Sequence, residues 1–252
     1  MIIRFFPVHH TGVCCILILL LLAVLTCGCM STGEWKAKGD DEFRSGRYSE
    51  AIGSYDQAIR LQPNNSELYY LKGLSLFEMV RYKDAIDAFT AAIRMKPDYS
   101  RAWFWKGRTS YMMGDYDEAV RSFFKAIELE PANTEYWYYR GMALSGRGQH
   151  DMAIQHFDKC ILLDPRDERV WSARGFSFIM KDDYPEALRS FEQAIAVSPE
   201  NAEHWINKAS VLKILGRENE AAVALDKARL LYKEKEKEIT QKIPRTPVQY
   251  SL

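Results

Sequence analysis

The 252-residue sequence has little of what chemistry needs. Its five histidines, His9, His10, His150, His156 and His204, never stand at metal-ligand spacing with one another, and His150 and His156 are six apart, which on a helix turns them to different faces. No phosphate-cradling glycine loop, dinucleotide glycine motif, nucleophile elbow or HExxH is present. Carboxylates are abundant but spread along what read as outward faces of helices. The chain therefore reads as a non-enzyme, with no catalytic residue, metal or cofactor to nominate and no small-molecule substrate to expect. Net charge is also lacking: 34 Lys and Arg balance 34 Asp and Glu. A neutral chain has no broad basic surface with which to displace phosphate counterions, so nucleic acid is not expected as a partner.

Cysteines are few and badly placed for a disulfide framework, because Cys14, Cys15 and Cys27 lie in an apolar segment and only Cys29 and Cys160 remain. Cys160 reads as a small buried hydrophobe. The apolar run from Val13 to Leu25 spans only about 20 Å as a helix, short of the roughly 30 Å hydrocarbon core, and suits a secretory h-region better than a membrane span. The TCGC immediately after it resembles the lipobox of prokaryotic lipoproteins. Gly28 and Cys29 match it, while Thr26 stands where the motif usually has Leu. Residues 1–29 are thus read as a signal peptide or membrane anchor, with lipidation at Cys29 and an uncleaved signal anchor as alternatives. Lys36, Lys38, Arg44 and Arg47 just beyond the segment argue by the positive-inside count for a cytoplasmic array. A signal-like segment is built to export the chain behind it, and the expected location is the extracytoplasmic face of a prokaryotic membrane.

What the chain does have is a period. Pro63, Pro97, Pro131, Pro165 and Pro199 are 34 residues apart, and other landmarks keep the step through six copies: 32–65, 66–99, 100–133, 134–167, 168–201 and 202–235. The fourth place holds Trp35, Tyr69, Trp103, Trp137, Trp171 and Trp205; the eighth holds Gly39, Gly73, Gly107, Gly141, Gly175 and Ala209. The twentieth is always alanine, and the twenty-fourth runs Tyr55, Phe89, Phe123, Phe157, Phe191 and Leu225. Four-residue steps put these groups on one helical face, and a break such as Gly114 divides each copy into two helices. Two short helices cannot bury both apolar faces alone, so the copies must stack. Pairs such as Pro63-Asn64 and Pro97-Asp98 are expected to end one helix and cap the next.

This constellation resembles the tetratricopeptide repeat, over residues 32 to about 235. The resemblance implies an all-α solenoid of six stacked helix-turn-helix units. One departure is the seventh place, where the family usually has Leu and this chain has Lys38, Lys72, Lys106, Arg140, Arg174 and Lys208. The expected account is aliphatic stems along the seam between repeats, with heads reaching water or a carboxylate. The sixth copy has Lys233 in place of proline, so its last helix is expected to run on into a charged extension and loose tail, 236–252.

The resemblance also implies where a partner would bind: a concave face lined by the second, fifth, ninth, twelfth and thirteenth residues of each copy. Here those places gather Tyr70, Leu74, Arg101, Phe104, Arg108, Tyr111, Tyr138, Met142 and Phe176, with Arg169 beside them. An apolar and aromatic trough with a few guanidinium groups suits a protein or peptide ligand with hydrophobic anchors and some acidic residues. The same aromatics could instead support neighbouring helices. The reading is a membrane-tethered scaffold that binds a protein partner in this groove. Its alternative is a structural self-assembling array, or a binder of an anionic envelope polymer through the seventh-place cations.

Overall fold

The computed structural model describes residues 30–242, with side chains described through residue 237. Among these residues are twelve helices and no strand. They pair as α1 (Thr32–Arg44) with α2 (Tyr48–Leu61), α3 (Ser66–Glu78) with α4 (Tyr82–Met95), α5 (Ser100–Met112) with α6 (Tyr116–Leu129), α7 (Thr134–Gly146) with α8 (His150–Leu163), α9 (Glu168–Ile179) with α10 (Tyr184–Val197), and α11 (Ala202–Ile214) with α12 (Glu218–Lys242). Each hairpin packs on the next, and α3, α5, α7 and α9 also touch in succession, which places the first helices on the inner side of the stack. The fold is an all-α solenoid. No helix among the described residues is long and apolar enough to cross a membrane. The segment 1–29, with Cys29, lies outside the described residues.

The repeat is held by three devices, each readable as a reason for a recurring residue. Within a hairpin, the ring at the twenty-fourth place lies against the glycine at the eighth. A Cβ on Gly73, Gly107 or Gly141 would come within 2.6–2.8 Å of Phe89, Phe123 or Phe157, closer than carbon atoms approach, so a side chain there would displace a ring that is wholly buried. The sixth repeat shows the converse, where Ala209 is accommodated beside Leu225 instead of a ring.

Between hairpins, the tryptophan indole N–H donates to the carbonyl of the preceding repeat's proline. The distances are 2.9 Å for Trp103 to Pro97, 2.9 Å for Trp137 to Pro131, 3.0 Å for Trp171 to Pro165 and 2.9 Å for Trp205 to Pro199. Tryptophan and proline thus recur together because one satisfies the carbonyl that the other leaves free after its helix ends.

Caps and turns complete the unit. Asn65, Asn133, Asp167 and Asn201 cap the next first helix by accepting from a backbone N–H at 3.0–3.1 Å. The first two junctions depart from expectation: the cap falls on Asn65 and not on Asn64, and Asp98 does not cap α5. Tyr99 occupies the cap position with no side-chain hydrogen bond there, because its ring is buried 5.1 Å from that of Tyr70. Each hairpin turn needs one left-handed residue. Gly46, Gly114, Gly148 and Gly216 supply it with φ of 72–78°, whereas Val80 at φ 60° and Asp182 at φ 58° take the same place in repeats two and five.

Candidate protein-interaction groove

The groove is built by the first helices, whose fifth, ninth and twelfth residues lie about 400° and 300° apart in turn and so share a face. The structure sorts the nine candidate residues into three groups. Tyr70 and Phe104 are not in the trough. They are 7% and 4% exposed, with Tyr70 between Phe89 and Tyr99 and Phe104 against Tyr136 at 4.9 Å, Tyr139 at 5.4 Å and Phe123 at 5.8 Å. Where fifth-place rings are large and the neighbouring repeat offers more rings, burial wins over exposure to a ligand. Leu74 and Tyr111 are half-buried, Leu74 against the core of the second repeat and Tyr111 with its ring 5.5 Å from Tyr116.

Arg101 and Arg108 form the second group. Arg101 is exposed, with its guanidinium 5.6 Å from both the Tyr70 and Tyr99 rings. Arg108 stands over three rings, Trp105 at 4.5 Å, Tyr139 at 5.0 Å and Phe77 at 5.6 Å, and has no ion pair or hydrogen bond among the described residues. A guanidinium resting on ring faces is held in place by cation–π attraction while its N–H fork stays open to an acceptor. The sequence reasoning missed Trp105 and Tyr139. The signal was present, since Arg101, Trp105 and Arg108 are spaced four and three apart and therefore share a face.

The third group converges. Tyr138, Met142, Arg169 and Phe176 line one cavity of about 570 Å³, together with Ser172, His204, Ile206 and Asn207 from the following first helices. Phe176 is 48% exposed, a large ring left facing this space. Arg169 is fixed from below: Asp167 accepts from its guanidinium at 2.7 Å, and the guanidinium lies 5.3 Å from the Tyr138 ring. The paired carboxylate holds the guanidinium firmly charged, and burial raises the Tyr138 hydroxyl above its ordinary pKa, so it stays a neutral donor.

His204 forms the cavity's buried floor. Asn201 uses its amide oxygen to cap α11, which leaves its NH2 to donate to His204 Nε2 at 3.2 Å. His204 Nδ1 therefore carries the proton and donates to Ser172 Oγ at 3.1 Å. Burial lowers the pKa of this imidazole, against the pull of Glu168, Glu203 and Glu200, so it is neutral at pH 7. Both nitrogens are committed, and His204 shapes the floor without reactive capacity to spare. A larger space of about 650 Å³ lies between the start of α11 and Leu231, Tyr232, Glu234 and Lys235 of α12. It exists because α12 runs past α11 with no further repeat to cover it.

The seventh-place cations do not form a free basic stripe. Lys72 meets Asp56 at 2.7 Å, Lys106 meets Glu118 at 2.7 Å, Arg174 meets Asp158 at 2.7 Å, and Lys208 meets Glu192 at 2.9 Å; Lys38 lies 3.8 Å from Glu42. Only Arg140 lacks a carboxylate among the described residues. Cys160 is buried, with its thiol directed at the Thr134 carbonyl at 3.4 Å and its pKa pushed up to about 12 by burial, which makes it an inert part of the core. No cluster of His, Cys, Asp or Glu among the described residues could hold a metal ion.

A stack of helical hairpins whose inner helices present rings and guanidinium groups to an open cavity defines an α-solenoid of the protein-interaction class. Two family models match the chain: the tetratricopeptide repeat over residues 36–100 and 179–233, and the TPR domain of cytochrome c-type biogenesis protein H over residues 83–203. The chain is a tetratricopeptide-repeat protein. No catalytic family is matched, and no curated protein matches.

Solved structures with the same fold include MamA, at 23% identity and TM-score 0.64 over 68% of this chain and 94% of that one. MamA from residue 41 to its end, of Desulfovibrio magneticus RS-1, superposes at 22% identity and TM-score 0.65, covering 68% and 96%. YrrB, described as a TPR protein with an unusual peptide-binding site, superposes at 22% identity and TM-score 0.61, covering 68% and 88%.

Proposed function

We propose that the array is a non-catalytic scaffold that holds an extended or helical segment of a partner protein along its inner face, and that residues 1–29 tether it to the outer face of a prokaryotic membrane. The observation that carries the groove is the pairing of an exposed Phe176 with Arg169 in one cavity, two repeats beyond the open guanidinium of Arg108. A partner would place an apolar side chain against Phe176 and Met142 and acidic side chains over Arg169 and Arg108. The support is chemical fit, and the fold is one that carries a peptide-binding site in YrrB. The centre of this site lies in repeats four to six rather than on Phe104, whose alanine variant would damage the core.

The groove is tested by proximity labelling in cells expressing the full chain, compared with Phe176→Ala and Arg108→Ala. Loss of the same partner in both variants, with helical content unchanged, is expected. Undiminished labelling in both would contradict the site. The tether is tested by shaving intact cells with protease and by tracing labelled fatty acid on wild type and Cys29→Ser. Array fragments protected until lysis would rule out the outer face.

A further inference from the structure

Arg140 is the seventh residue of its repeat, and its position on α7 lies two residues from both Tyr138 and Met142, about 200° round the helix, so it faces away from the groove. Its counterpart one repeat later is fully answered: Arg174 reaches Asp158 at 2.7 Å, Ser190 at 2.8 Å and Glu186 at 4.0 Å. At the three corresponding places around Arg140 stand Phe124, His156 and Met152. The guanidinium lies 4.9 Å from the Phe124 ring, and its Nε is buried with no hydrogen-bond partner. His156 Nε2 is a second orphan in this seam, since Nδ1 is the atom bonded to the Met152 carbonyl, at 2.8 Å. The nearest influential carboxylate, Glu128, is engaged by Lys125 at 2.7 Å. Phe124 and Met152 are 40% and 42% exposed, large apolar groups facing out beside an unanswered cation.

We propose that this seam between the third and fourth repeats is a second docking surface, where a partner polypeptide seats an Asp or Glu carboxylate on Arg140 and flanking apolar side chains on Phe124 and Met152. The complementarity is specific. A half-buried guanidinium with no internal carboxylate gains most from a charged acceptor at its terminal N–H groups, which, unlike Nε, are not sealed off, and the exposed ring and thioether exclude water around it. His156, neutral because burial lowers its pKa, lies buried beneath this surface and offers Arg140 no counter-charge. The surface is independent of the groove, because it lies on the opposite side of α7.

The test is selection from a phage-displayed library of random decapeptides on the full chain carrying Arg108→Ala and Phe176→Ala, which silences the groove. Selected peptides are expected to share one Asp or Glu flanked by apolar residues, and to bind at least about tenfold more weakly once Arg140→Met is added. Phe124→Asp is expected to give the same loss while keeping the array folded, because it hands Arg140 the internal partner that Arg174 has. Recovery of no peptides, of peptides without a shared carboxylate, or of peptides indifferent to both changes would overturn the proposal. So would binding of anionic phospholipid vesicles at Arg140 in place of peptides.

Discussion

The seam between repeats three and four and the seam between repeats four and five share one plan, and around the seventh-place arginine they differ in three side chains. In both, a glycine lies under a buried phenylalanine and a tryptophan reaches back to a proline carbonyl. In the later seam Arg174 is neutralised by Asp158 and Glu186, whereas in the earlier one Phe124 and Met152 leave Arg140 with a ring and an unmade hydrogen bond. The comparison separates two kinds of residue. Places that recur without exception build the solenoid, and places where one repeat breaks a rule that its neighbours keep, at some cost to itself, are where function is to be sought.

The shared half of the comparison is broken most severely at the glycines. Gly141→Ala and Gly175→Ala should each lower stability by about 2 kcal/mol, a typical overpacking cost, despite alanine's better helix propensity. Adding Phe157→Leu or Phe191→Leu should restore much of it, by analogy with the Ala209 and Leu225 pair of the sixth repeat, and chemical denaturation of single and double variants checks this. A break with no evident gain is the Val80 turn. Val80→Gly should raise stability by about 1 kcal/mol, because a β-branched residue is strained at φ 60° and its exposed side chain contributes little packing. Removing the indole donor by Trp137→Phe or Trp171→Phe should cost about 1 kcal/mol in each seam, equally, since the bond is the same in both.

The smallest expected effect is in pH. His156 sits in the earlier seam where Ser190 sits in the later, and burial holds its pKa below the ordinary 6.5. Above pH 6.5 both folded and unfolded chains carry it neutral, so its contribution is complete. As pH falls below 6.5 the unfolded chain takes the proton first, and stability declines until the lowered folded pKa is passed. His204 acts with the same sign. Unfolding midpoints measured from pH 7.5 to 5.0 should therefore fall, and His156→Ser should remove part of the slope while leaving that of His204.

How much of this was legible in the sequence depended on whether a residue's role repeats. The helices and the partner of each glycine can be read from the 34-residue step, because every copy reports the same contact. Cap identity failed at Asn64, where the next residue, Asn65, is the cap, and at Asp98, where Tyr99, its ring buried, holds the cap position. The groove was half legible. Tyr138, Met142 and Phe176 do line a cavity, but Tyr70 and Phe104 went into the core, because which way an aromatic faces depends on the rings offered by the next repeat. Arg140 was visible only as one of six similar cations. Its isolation depends on three residues, sixteen before and twelve and sixteen after it in the chain, that converge only once the hairpins stack.

The central claim is that Arg140 is kept for something other than the stability of the array, and paired unfolding of Arg140→Met and Arg174→Met tests it directly. Arg174→Met is expected to lower the denaturation midpoint, because it takes from Asp158 its partner at 2.7 Å, while Glu186 keeps Arg189. Arg140→Met is expected to leave the midpoint unchanged or raise it, because an apolar chain would rest on Phe124 and the unpaired Nε would be gone. A loss in Arg140→Met as large as in Arg174→Met would make Arg140 a structural residue and contradict the account.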